Sequence, residues 1–125
     1  MLYIRGGNKE QIRLSHQLFN FCSNGFFPVS DIPNIDLTIQ KVNDALAWTD
    51  YEGEGKFYIE IEESLPKNFF IITLCHEMIH VCQFLVGSEV SESSAYHYES
   101  KLAEQFFHEV LDARIDISIY DLNED

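Results

Sequence analysis

The chain has 125 residues, of which 46% are hydrophobic and 14% aromatic, enough for one domain with a buried core and too few for a second. Eight Lys and Arg face 21 Asp and Glu, and the net charge of −13 opposes any function built on neutralising phosphates. Direct binding to nucleic acid or to an anionic membrane surface is therefore not expected. A single domain over 1–125 is predicted, with its core at about 8–113 and an acidic tail at 114–125.

The first residues, MLYIRGGNKEQIR, contain no apolar leader. After the Gly6-Gly7 pair, Asn8 is a natural N-cap for a helix whose apolar positions Ile12, Leu14, Leu18, Phe19 and Cys22 follow helical spacing, with Gly25 as its stop. Pro28 and Pro33 mark a loop. From Ile35 the period changes to two, because Ile35, Leu37 and Ile39 alternate with Asp36, Thr38 and Gln40. A second extended segment, Asp44 to Tyr51, leads through Glu52-Gly53-Glu54-Gly55 into a third, in which Phe57, Ile59 and Ile61 face one way. The second and third segments are predicted to form a hairpin.

Ser64 and Pro66 then suit the cap and first turn of a helix running to about Val86, apolar on most sides and hence expected beneath the sheet. His76, Glu77, His80 and Gln83 interrupt its apolar run, which argues against a membrane span. A polar connection, Ser88 to Ser94, precedes a last helix from about Ala95 to Ala113. The order predicts an α+β domain with an N-terminal helix and a three-stranded, mostly antiparallel sheet, followed by two further helices. Cys22, Cys75 and Cys82 form an odd set without disulfide-framework spacing, which together with the missing leader predicts reduced thiols and a cytoplasmic chain.

His76-Glu77-Met78-Ile79-His80 is an H-E-x-x-H pattern inside the apolar helix. Histidines at i and i+4 project from one face a turn apart, so their ring nitrogens can converge on one metal ion. Glu77 lies roughly 100° round the helix from His76, within reach of a metal-bound water without being a ligand. Three polar side chains buried in an apolar helix each need a partner, and a zinc ion would satisfy them together.

This helix resembles the active-site helix of the zincin metallopeptidases. The resemblance extends upstream, since Asn43-Asp44-Ala45-Leu46-Ala47-Trp48, a glycine-containing turn and an alternating strand are similar to the edge-strand region of thermolysin-like and SprT-like enzymes. It implies that Ala45, Leu46 and Ala47 offer main-chain hydrogen bonds to an extended peptide substrate. A catalytic zinc needs a third protein ligand. Glu99 shares the inward face of the last helix with Ala103, Phe106, Phe107 and Val110, and lies 19 residues beyond His80, an arrangement that resembles the gluzincins. SprT-like enzymes use a third histidine, which leaves His97 as the alternative, although Tyr98 and Lys101 depart from that pattern. Tyr96 and Tyr98 are candidate oxyanion donors beside the metal.

The expectation is a minimal zinc metallopeptidase acting on a peptide or protein, with His76, His80 and Glu99 (or His97) on zinc and Glu77 as general base. Two other functions share the pattern: a zincin-like binding or regulatory module with structural zinc, and a SprT-like DNA-associated protease. The acidic composition, and a tail with Arg114 but no C-x-x-C pair, count against the last.

Overall fold

The computed structural model describes residues 1–28, 32–87 and 92–111, apart from the side chains of Ser94 and Tyr96. The elements run β1 (Leu2–Gly6), α1 (Lys9–Gly25), β2 (Asn34–Gln40), β3 (Ala47–Gly53), β4 (Lys56–Glu62), α2 (Lys67–Leu85) and α3 (Glu92–Glu109). The acidic tail, residues 88–91 of the polar connection and the Tyr96 side chain lie outside the described residues.

The fold is α+β, but its sheet corrects the expected three-stranded, mostly antiparallel one. Four strands lie in the order β1-β2-β4-β3. β1 pairs with β2 and β2 with β4 in parallel, and only β3 and β4 are antiparallel. The lead residues thus form a strand. Its parallel partner is reached through α1 rather than through a tight turn, so no local hairpin signal announces the pairing. β3 begins at Ala47 rather than Asp44, because Asp44 takes a φ of 64° and breaks the extended run. The hairpin between β3 and β4 forms as expected, with positive φ at Gly53, Glu54 and Gly55 turning the chain.

Alternation along β2 and β4 decides which face is covered. Ile35, Leu37, Ile39, Phe57, Ile59 and Ile61 are all buried, while Asp36, Thr38, Gln40, Tyr58, Glu60 and Glu62 occupy the opposite, wetter face. Trp48 stays on that wetter side, partly exposed against the Tyr58 ring at 5.2 Å. α2 packs on β3, β4, α1 and α3, which explains why apolar side chains surround it. By length and composition alone α2 would pass for a membrane span, yet 56% of it is buried inside the domain, as in a core helix.

Two local details fix α1. Asn8 caps it reciprocally with Gln11, whose side-chain amide also donates to the Glu63 carbonyl at 2.9 Å and ties the helix to the end of β4. Ser64, by contrast, does not cap α2: its N–H donates to Glu62, and Pro66 occupies the N-cap without a side-chain bond. At the end of β1, Gly6 holds a φ of 75°, and a Cβ there would meet the Ile39 carbonyl oxygen well inside contact distance. Gly6→Ala is therefore expected to lower unfolding free energy by about 2 to 4 kcal/mol, read from the urea midpoint at unchanged slope.

Candidate metal centre

α2 carries His76 and His80 one turn apart, their ring centroids 4.8 Å from each other and their planes 82° apart. Both Nε2 atoms point to one carboxylate at the start of α3. His76 Nε2 lies 3.1 Å from Glu92 Oε2, and His80 Nε2 lies 2.7 Å from Glu92 Oε1. One ligand atom from each residue lies within 4.8 Å of the other two, so the three form a group able to hold a metal ion. A tetrahedral ion with bonds near 2 Å separates its ligands by about 3.3 Å, close to these approaches. Two imidazoles and one carboxylate are also the donor set of a catalytic zinc that keeps a fourth position for water.

The other nitrogen of each ring has a partner of its own. His76 Nδ1 lies 3.0 Å from Glu99 Oε2, and His80 Nδ1 lies 3.0 Å from Gln83 Oε1. Burial alone would lower the His76 pKa. The hydrogen bond to Glu99 and the negative charges of Glu77, Glu99 and Glu92 outweigh it, so the ring holds a proton more tightly than an ordinary histidine.

Glu77 turns from this group toward β3, where the Thr49 hydroxyl donates to its Oε1 at 2.8 Å. Burial raises the Glu77 pKa, against the opposing pull of the Thr49 hydrogen bond and of His76 and His80. A cleft of about 520 Å³ opens between α2 and β3. Its floor carries His76, Glu77 and His80, with Glu92 and Glu99 beside them, and Phe69, Ile72 and Phe84 line it along the helix.

β3 is the outer strand on this side of the sheet. Glu62 donates its N–H to the Leu46 carbonyl at 2.8 Å, so that carbonyl faces β4. Antiparallel alternation then turns the main-chain N–H and C=O of Ala47 and Thr49 to the open edge. Ala45 and Leu46 precede β3 and line the cleft with Ala47, but Leu46 is corrected as a main-chain partner for a peptide, because its carbonyl is taken by Glu62 of β4.

The structure thus brings His76, Glu77, His80 and Glu99 together, with Glu99 on the far nitrogen of His76. His97 is exposed, set edge-on against the Tyr98 ring at 4.8 Å, and is outside the metal-capable group. Tyr98 is exposed as well. Sequence reasoning missed Glu92, which it placed in the polar connection. One signal was available: Glu92 precedes Glu99 by seven residues, two helical turns, and so extends the inward face backwards through Ala95. The Cys22 and Cys75 thiols are buried, and their burial pushes both pKa values up, as for inert core thiols. Comparison with protein-family models, curated proteins and solved structures gives no match for this chain.

Proposed function

We propose that the chain is a zinc-dependent peptidase in which His76, His80 and Glu92 bind the metal and Glu77 is the general base. The observation that carries this reading is the convergence of both Nε2 atoms on one carboxylate, beside a buried glutamate that is not part of the group. Glu99 then serves as the partner of His76 Nδ1, which orients the ring and raises its basicity as a ligand. When bound, zinc supplies Lewis acidity toward a carbonyl oxygen and brings the pKa of its water toward neutrality.

The chain's own groups do the rest. The open edge at Ala47 and Thr49 pairs with an extended peptide by strand addition, which lays the scissile bond along α2. Glu77 is held at Oε1 by Thr49, which leaves Oε2 to accept a proton as water attacks the carbonyl carbon. The C–N bond breaks, and Glu77 returns the proton to the departing amine. The apolar walls at Phe69, Ile72 and Phe84 accept apolar side chains of the peptide.

The test combines metal content with proteolysis. Protein purified without chelator should carry about one zinc per chain and cleave an unstructured protein such as casein. Chelation should stop cleavage, and one equivalent of zinc should restore it. A correctly folded chain that takes up no zinc contradicts the reading.

A further inference from the structure

We infer that Gln83 is a positioning residue that fixes the tautomer of His80 from within the same helix, an inference that rests on the metal reading above. Gln83 stands three residues after His80, so the two side chains share a face of α2. It is a polar side chain buried in an apolar helix, where an uncompensated amide would be costly. Its Oε1 lies 3.0 Å from His80 Nδ1. An amide oxygen can only accept, so the facing Nδ1 carries the proton. In the metal-free chain Nε2 faces an acceptor as well, Glu92 Oε1 at 2.7 Å, and a metal taking Nε2 would leave the ring's one proton on Nδ1, where Gln83 accepts it.

Each histidine therefore has a different support. His76 is held by a carboxylate from α3, whereas His80 is held by a neutral amide one turn along its own helix. The Gln83 support lies on the same helix as the ring, so the backbone of α2 sets the spacing between the two residues.

The experiment measures zinc affinity by competition with a chromophoric chelator, together with ¹⁵N chemical shifts of the His80 ring in the zinc-loaded protein. Wild-type His80 should show a ligated Nε2 and a proton on Nδ1 that exchanges slowly with water. Gln83→Leu should bind zinc about 10 to 100 times more weakly and lose that protected proton. Gln83→Glu, which keeps the acceptor, should retain both and serves as the folding control if the leucine variant fails to fold. A wild-type ring ligated through Nδ1, or unchanged affinity in Gln83→Leu, overturns the inference and leaves the metal reading intact. A folded wild-type chain that binds no zinc overturns the metal reading itself, so the two failures are distinguishable.

Discussion

Glu77→Gln is expected to bind zinc as the wild type does and to hydrolyse peptide bonds on the order of 10² to 10⁴ times more slowly. The substitution is nearly isosteric. The amide oxygen can still accept from Thr49, and neither histidine loses a neighbour it uses for metal. What is lost is a group able to take a proton from water and return it to the leaving amine. Metal content should be counted alongside turnover, because a variant inactive through metal loss would say nothing about the base. Retained proteolysis with full zinc would remove Glu77 from the mechanism.

The same variant has a stability consequence of known sign. Burial raises the folded-state pKa of Glu77, so its ionisation opposes folding. That cost is absent below the ordinary carboxylate range and grows as pH rises through the folded pKa. Metal-free Glu77→Gln should therefore be more stable than metal-free wild type at neutral pH, and the difference should vanish at about pH 3 to 4.

The second large effect separates Glu92 from Glu99. Apparent binding energies of about 10 to 16 kcal/mol for four-ligand zinc sites amount to roughly 3 kcal/mol per ligand, a factor of about 10² in affinity. His80→Ala and Glu92→Ala should each lose about that much or more. Glu99→Ala, which removes the partner of His76 Nδ1 rather than a ligand, should lose only about tenfold, the lower end of what outer partners contribute. Competition titrations on the three variants check the order. A larger loss in Glu99→Ala than in Glu92→Ala would return Glu99 to the metal and make Glu92 the bystander.

How much of this was legible in the sequence differs by element. The i, i+4 spacing of His76 and His80 sits in a long apolar run, and helical periodicity alone puts both rings on one face. Asn8 was equally readable, since capping is a local interaction between residues three apart. Glu99 was assigned to the inward face of α3 from Ala103, Phe106 and Phe107, all buried, but which atom it would meet depended on how α3 docks on α2. Glu92 was harder, because its side chain is largely exposed and it follows a polar segment without periodic signal. β1 was missed for the reason common to parallel pairs: its partner lies beyond α1, and nothing in five residues specifies a strand across that distance. The pairing of β3 with β4 followed from the turn at Gly53 to Gly55 and the edge position of β3 from the resemblance alone, while which backbone groups face outward depended on the register with β4.

The metal centre itself is tested most directly by an anomalous difference map at the zinc edge, from crystals grown with one equivalent of zinc. A single peak bonded to His76 Nε2, His80 Nε2 and the Glu92 carboxylate, at about 2.0 to 2.2 Å from each, is the result expected here. A peak elsewhere, or none at these three residues in zinc-replete crystals, would contradict it.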